Sequence, residues 1–399
     1  MDATFAPEWT ADELYEHLLA RDRFLLLDVR PRDEFEAWRI EGREPIPTRN
    51  APYPELIERA GSREPSAVAG TLVAMPDPVM LTKDATTLVA CAKGNNSQVM
   101  ADGLRQLGFR VINLTGGMEA WSHVTFTKPF ATEAGFTIFQ IGRPARGCLS
   151  YVIASSGEAA IIDPLRDPEP YLELMSKEQL RIRFVLDTHA HADHLSGGPV
   201  LALRLGVPYS LHPYDAIHPI DLLPAKVRYQ PLHDGQTLDV GAAKLEVLHI
   251  PGHTLGNLAL KLGSFVLAGD SIFIDSVARP DLGGRGEAWA SLHWHSLRRL
   301  LALGDDVTVL PGHFSRLAES DPSGRFAARL GDLRMTNAGL LEAQKSEREF
   351  VAWIVSHLPA VPPRYMDIKR VNLGLKQVDE DAAGELEVGK NVCAMAASH

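Results

Sequence analysis

Two rhythms of apolar and polar positions run along the chain, and the change between them falls near residue 135. Before it, residues 24–29, 87–90 and 110–114 are short apolar runs of the kind that form buried parallel strands, while residues 98–107 repeat apolar positions at helical spacing and stop at Gly108. Strand-like and helix-like pieces in alternation predict a small α/β domain over residues 1–127. Lys128-Pro129 and Gly135 interrupt any regular pattern, so residues 128–135 are expected to be a linker. From residue 136 strands come in succession, at 136–141, 149–154 and 158–162, with Gly157 at the last turn. A helix at 170–179, a strand at 183–187 and a helix at 197–205 follow. Further strands are expected at 244–248, 257–262, 264–267 and 307–310, with enough helical character at 315–360 for a helical module. The second domain accordingly takes residues 136–399.

One loop of this second domain is denser in chemistry than packing requires. Thr188-His189-Ala190-His191-Ala192-Asp193-His194 puts three imidazoles and one carboxylate within a few residues. A buried histidine that only satisfies hydrogen bonds travels alone, whereas imidazoles and carboxylates converging on one loop suit a transition metal. The apolar run before the cluster places it at the carboxyl end of a strand, where open α/β sheets carry their sites. Three later strand ends repeat the same ligand types, in Pro251-Gly252-His253-Thr254, Leu267-Ala268-Gly269-Asp270 and Pro311-Gly312-His313-Phe314. The remaining histidines fit less well. His293 and His295 lie two apart on a predicted helix and cannot share a face. His212, His218, His233 and His249 match no ligand spacing, although His249 is close to His253, and these are read as surface or core residues.

Composition narrows the partners. The 399 residues suggest two or three domains. Acidic residues outnumber basic ones by 51 to 40, the net charge is −11, and no basic run is interleaved with aromatics, so nucleic acid is not an expected partner. No apolar run approaches the ~18 residues of a membrane span, and residues 1–10 carry neither the basic region nor the apolar core of an export signal. A cytoplasmic protein without a membrane span is expected. The three cysteines, Cys91, Cys148 and Cys393, are too few and odd in number for a disulfide framework, so a cysteine that matters here is expected to matter chemically.

Cys91 is placed for such a role. It ends the predicted strand at 87–90 and opens Cys91-Ala92-Lys93-Gly94-Asn95-Asn96-Ser97, after which the helix starts, so its sulfur looks into a loop whose amides and helix amino terminus favour negative charge. On position alone, a small apolar residue closing a strand is an equal reading. Leu27-Asp28-Val29-Arg30, then Glu34-Phe35 and Ile40-Glu41-Gly42, then the cysteine loop, then Leu114-Thr115-Gly116-Gly117 and Trp121 resemble the rhodanese family in order and content. The resemblance implies that Cys91 is catalytic and carries a persulfide sulfur. The family's C-x-x-G-x-R loop has Asn96 at the arginine position, which favours sulfur handling in general over thiosulfate in particular; Lys93 is expected to supply part of the missing charge towards substrate.

The metal-ligand loops, taken in order over residues 136–314, resemble the metallo-β-lactamase superfamily, which implies an αββα sandwich of two sheets flanked by helices. That superfamily holds hydrolases and oxygenases. A hydrolase would use two metals bridged by Asp270 to make hydroxide near neutral pH, whereas an oxygenase needs Fe(II) on two histidines and one carboxylate, with three positions open. Arg279-Pro280-Asp281-Leu282, Val371-Asn372 and Leu386-Glu387-Val388-Gly389-Lys390-Asn391-Val392-Cys393-Ala394 look like the persulfide dioxygenase branch. That resemblance implies one Fe(II) per chain held by His189, His253 and Asp270. His191, Asp193, His194 and His313 then stand at the second-metal position of dinuclear relatives and serve as polar neighbours. Arg279 would meet a substrate carboxylate. The implied reaction takes glutathione persulfide, or a similar small thiol persulfide, with O2 and water to sulfite and thiol, with self-association as a homodimer left open. The alternatives are a glyoxalase-II-like thioester hydrolase with two Zn or Fe ions, and a non-catalytic scaffold or sulfide-responsive interaction protein.

Overall fold

A computed structural model describes residues 7–133 and 135–395. Residues 1–6, most of the stretch read above for an export signal, residue 134 of the expected linker and residues 396–399 lie outside the described residues. The chain divides into two compact units, the first running to Thr125 with the short pieces Arg143–Arg146 and Arg316–Ala318, the second taking the rest. Among the described residues no helix is long and apolar enough to cross a membrane.

In the first unit β1 (Glu8–Trp9), β2 (Leu25–Asp28), β3 (Thr48–Asn50), β4 (Thr87–Ala90) and β5 (Val111–Leu114) form one sheet in the order β1-β5-β4-β2-β3, with every pairing parallel. Parallel strands are covered on both faces, which is why β2, β4 and β5 read as unbroken apolar runs. Leu25, Leu27, Val89 and Val111 pack on Val68, Ala69 and Leu72 of helix Pro65–Ala74 and on Met100, Ala101 and Leu104 of helix Asn95–Gln106. Helix Ala11–Ala20 starts at a reciprocal cap, Thr10 Oγ1 accepting from the Glu13 amide at 3.1 Å and the Thr10 amide donating to Glu13 Oε2 at 2.8 Å.

The second unit holds two sheets in which each strand lies beside the next in sequence. The first comprises β6 (Phe126–Glu133), β7 (Phe136–Arg143), β8 (Cys148–Ser155), β9 (Glu158–Ile162), β10 (Arg181–Leu186), β11 (Tyr209–Leu211) and β12 (Gln230–Pro231). The second comprises β13 (Thr237–Val240), β14 (Ala243–His249), β15 (Leu258–Leu262), β16 (Phe265–Leu267), β17 (Thr308–Leu310) and β18 (Ala328–Arg329). Helices Glu169–Glu178 and Gly198–Leu205 make the crossovers of the parallel β9-β10-β11 run and cover one face of the first sheet through Tyr171, Leu174, Leu201 and Ala202. Helix Gly286–Leu301 does the same between the parallel β16 and β17, burying Ala290, Leu297 and Leu300 against Leu248, Ala259, Val266 and Val309. The layers are those expected, α-β-β-α.

The expected linker is not one. Residues 126–133 form β6, antiparallel to β7 from Phe126 opposite Gly142 to Glu133 opposite Phe136. Proline breaks a central strand because it lacks a donor, but β6 is the sheet's edge, where that loss is tolerated, and the register shifts just after Pro129.

The topology brings the ligand loops together. β14 and β16 are each antiparallel to β15, and β17 is parallel to β16, so the carboxyl ends of β14, β16 and β17 share one edge of their sheet. The loop leaving β10 joins them through the Leu258 amide, which donates to the Thr188 carbonyl at 2.9 Å.

Candidate metal centre and cysteine loop

The loop after β10 has little regular structure, and side chains from distant parts of the chain take up its backbone groups. Asp163, at the end of β9, accepts from the Thr188 amide at 2.6 Å and from Thr188 Oγ1 at 2.9 Å. Asp215 accepts from the Ala190 amide at 2.8 Å, and the Lys369 ammonium donates to the Ala190 carbonyl at 2.7 Å. Asn372 Nδ2 donates to the His191 and His194 carbonyls at 3.0 and 2.9 Å, and Glu387 accepts from the Leu195 amide at 3.1 Å.

His189 Nε2 on this loop and His253 Nε2 and Asp270 Oδ2 on the neighbouring ones are buried atoms with no hydrogen-bond partner, as are His191 Nδ1, His194 Nε2 and His313 Nε2. His189, His253 and Asp270 are all 0% exposed, so their lone pairs face the protein interior rather than bulk water. Asp270 Oδ2 lies 3.8 Å from His189 Nε2 and 3.6 Å from His253 Nε2. Two ligand atoms each about 2.1 Å from one ion can be at most ~4.2 Å apart, so both spacings suit a shared ion. Each imidazole is held in the tautomer that leaves Nε2 with a lone pair. His253 Nδ1 donates to the Arg279 carbonyl at 2.8 Å, and His189 Nδ1 donates at 3.0 Å to Thr188 Oγ1, whose own proton goes to Asp163. Burial pushes both imidazoles below the usual histidine range, keeping them neutral. Burial alone would raise Asp270, but the charge and the hydrogen bond of neighbouring His313 hold it below the usual carboxylate range.

The residues expected at a second metal position do not stay together. His191 turns away: its Nε2 lies 3.2 Å from Asp163 Oδ1 and 3.7 Å from Asp187 Oδ1, and these carboxylates overcome burial and raise it well above the usual histidine range. Asp193, His194 and His313 do converge, and Cys148 joins them. His313 Nδ1 donates to Asp270 Oδ1 at 2.6 Å, so the two oxygens of that carboxylate face different neighbours. The Gly312 backbone lies so near that a Cβ there would sit 2.5 Å from Asp270 Oδ1, which is why Pro-Gly precedes the histidine.

Arg279 departs from expectation. It is 0% exposed and its donors are occupied, Nε and one terminal nitrogen on the two oxygens of Asp281 at 2.7 and 2.8 Å, the rest on the carbonyls of Pro359, Ala360 and Val392. Such a fork ties the carboxyl-terminal segment down and leaves no free face for a substrate carboxylate. Of the other histidines, His212 stacks on His249 with ring centroids 4.2 Å apart, and His249 Nε2 donates to the Leu255 carbonyl, so neither enters the centre. His293 is buried behind Gly252, and His295 is largely exposed near Glu347. Cys148, Asp163 and Asp187 were missed as site residues. Asp163 ends an apolar strand just as Asp270 does, and that signal could have found it.

In the first unit Cys91 follows β4 and heads the loop into helix Asn95–Gln106. Its sulfur accepts from the Gly94 amide at 3.1 Å and from Ser97 Oγ at 3.2 Å, two donors that suit a charged sulfur. The Met118 and Glu119 amides donate to the Cys91 and Ala92 carbonyls, both at 2.9 Å; a Cβ on Gly117 would lie 2.2 Å from the Cys91 carbonyl oxygen, so that glycine permits the contact. Lys93 and Asn96 are exposed at the loop's outer side, with Lys93 Nζ 3.6 Å from Glu119. The Asp28–Arg30 pair is buried, at 2.7 Å, and secures the exit of β2.

Residues 10–123 match the family model described as a rhodanese-like domain, and residues 143–313 match that of the metallo-β-lactamase superfamily. A hydroxyacylglutathione hydrolase of Anaeromyxobacter dehalogenans is 31% identical over 219 residues, covering 52% of this chain and 80% of that one. A β-lactamase hydrolase-like protein of Xylella fastidiosa is 26% identical over 358 residues, covering 79% and 80%. The crystal structure of a metallo-β-lactamase from Staphylococcus aureus superposes with a TM-score of 0.52 at 28% identity, covering 65% of this chain and 75% of that one. With two sheets flanked by helices, histidine and aspartate ligands on their loops, and an amino-terminal unit that matches the rhodanese-like model, this chain belongs to the metallo-β-lactamase superfamily and carries a rhodanese-like domain ahead of the metal-binding one.

Proposed function

We propose that the chain is a persulfide dioxygenase with a sulfurtransferase domain, oxidising a small thiol persulfide, glutathione persulfide first, with O2 and water to sulfite and thiol. The observation that carries this reading is the open triad of unpartnered ligand atoms on His189, His253 and Asp270. Two imidazoles and one carboxylate suit non-haem Fe(II), which when bound supplies O2 activation and open positions for a sulfur ligand. Two contacts support a single ion at the triad. His191 is taken by Asp163 and Asp187, and the Asp270 oxygen that would bridge to a second ion is taken by His313 Nδ1.

The chain's own groups then have separate tasks. Thr188 and the Arg279 carbonyl fix the two imidazole tautomers. His313 orients Asp270. The apolar cluster of Phe273, Tyr365, Ile368 and Cys393 lies over the loop at Ala192 and Leu195 and limits water there. In the other domain the Gly94 amide and Ser97 hydroxyl favour sulfur carried on Cys91. One domain makes or uses a persulfide and the other consumes it, which gives the fusion a chemical rationale.

Protein purified without oxygen should contain about one iron per chain and take up O2 with glutathione persulfide. The second reading, a dinuclear hydrolase of glutathione thioesters, is favoured by the 31% identity to a hydroxyacylglutathione hydrolase. Two tightly bound zinc ions, hydrolysis of an acylglutathione and no oxygen uptake would establish that reading and sink the first.

A further inference from the structure

One buried carboxylate that faces no metal position ties two of the triad's ligand loops together. Asp215 lies just past β11, in the turn that its amide closes on the His212 carbonyl at 3.0 Å. Its Oδ2 accepts from the Ala190 amide at 2.8 Å and from Thr254 Oγ1 at 2.7 Å, and its Oδ1 accepts from the Gly256 amide at 2.7 Å. Ala190 follows His189 and Thr254 follows His253, so each imidazole is one residue away from a bond to this carboxylate. Ala190 is also held from the other side, its carbonyl accepting from the Lys369 ammonium at 2.7 Å. Gly256 admits the side chain, because a Cβ there would lie 2.8 Å from both Cβ and Cγ of Asp215. Ala190, Thr254 and Gly256 are all buried, so water cannot take these bonds over.

We propose that Asp215 is a positioning residue of the metal centre, which sets the span and tilt between His189 and His253 by bonding both of their loops at once. The two rings stand with centroids 5.0 Å apart and planes at 82°, and their Nε2 atoms both lie within 4 Å of Asp270 Oδ2. In the metal-free protein two nitrogen lone pairs and a carboxylate oxygen brought this close repel one another, so the arrangement has to be enforced from outside. Three hydrogen bonds to one charged carboxylate supply that restraint, on a side chain with a single methylene and therefore little slack. Thr188 and the Arg279 carbonyl each fix the tautomer of one ring. Asp215 fixes one ring relative to the other, which neither of those contacts can do. It acts through the ligands and touches neither metal nor substrate. The inference rests on the triad binding a metal, as the proposed function does, but not on which reaction follows.

The test reads ligand geometry on the full chain with Co2+ as the probe, the equivalent at the triad being the one that His253→Ala removes. Asp215→Asn keeps the shape but turns an NH2 group toward a donor whichever way it sits, so at least one of the three bonds is lost. It should weaken that equivalent about tenfold or more and change the position and intensity of the visible cobalt bands. Thr254→Val removes the one side-chain donor, should change the bands as well, and serves as the test if the asparagine variant does not fold. Leu174→Ala, a core truncation in helix Glu169–Glu178, controls for lost stability: it should lower the urea midpoint and leave cobalt affinity and bands at wild type. Bands that stay unchanged in both Asp215→Asn and Thr254→Val overturn the proposal, as does a Leu174→Ala variant that changes them equally or a wild-type protein that takes no cobalt at the triad. Oxygen uptake is not the readout, so these outcomes stand apart from those that decide the dioxygenase reading.

Discussion

Thr188 offers a sharp test of how the centre is held, because one hydroxyl joins a carboxylate to a metal-facing imidazole. Thr188→Val keeps the shape and removes only the oxygen. The change deletes the 2.9 Å bond to Asp163 Oδ2 and the 3.0 Å bond from His189 Nδ1, at a position that is 0% exposed and so beyond the reach of compensating water. Stranding two buried polar groups costs about 1–3 kcal/mol each, and the added methyl returns about 1 kcal/mol, so the metal-free protein should lose about 3 kcal/mol. The ring of His189 also loses what fixes its tautomer, for which the expected cost is about 10- to 100-fold in metal affinity, or roughly 1.4–2.7 kcal/mol. Urea unfolding of metal-free protein reads the first quantity, and competition with a chelator reads the second. Thr188→Ser keeps the hydroxyl and should stay within about 1 kcal/mol of wild type by both measures, having lost one methyl. If valine binds metal as tightly as threonine, or if serine is as damaging as valine, the relay from Asp163 through Thr188 to His189 does not operate.

Cys91→Ser should abolish transfer of sulfur from a persulfide donor, with the added sulfur mass missing from the Cys91 peptide, while preformed glutathione persulfide is still oxidised near the wild-type rate; sulfur found on Cys148 or Cys393, or loss of oxygen uptake, would refute the division of labour. Burial, with help from the stacked His249, lowers His212 from 6.5 to about 4, so the unfolded chain takes up the proton first and this contribution to stability, whole above pH 6.5, is lost as pH falls toward 4. His212→Phe, which keeps the stack, should flatten the fall of the urea midpoint across that window, and an unchanged slope would show that other groups govern it.

What was legible in the sequence divides along a physical line. Strand and helix cores were readable because burial on one or both faces writes itself into local periodicity, as in β9 at Glu158–Ile162, whose bounds match the expected ones. The loops that bring His189, His253 and Asp270 together were readable because each follows an apolar strand, whereas the choice of these three over His191, Asp193, His194 and His313 came only from the family resemblance. The edge position of β6 is a property of the whole sheet, so a proline that looked like a break proved to be a strand residue. Arg279 and Cys148 were hidden for a similar reason. Their partners at Asp281, Pro359 and Val392, and at Asp193, His194 and His313, are chosen by tertiary packing, and nothing in the neighbouring residues announces them.

The loop that carries three of the histidines is held by Lys369, Asn372 and Glu387, partners 176 to 192 positions farther along the chain. A ribosome adding about 5–20 residues per second needs on the order of 10–40 s to cover that distance. Through that interval the nascent loop has its imidazoles but not the clamps that aim them, so a growing chain is a poor trap for whichever ion arrives first. Selection of the metal is thereby deferred until the carboxyl-terminal helices have docked, when tautomers and spacings are set and the pocket can discriminate among cations by geometry as well as by affinity.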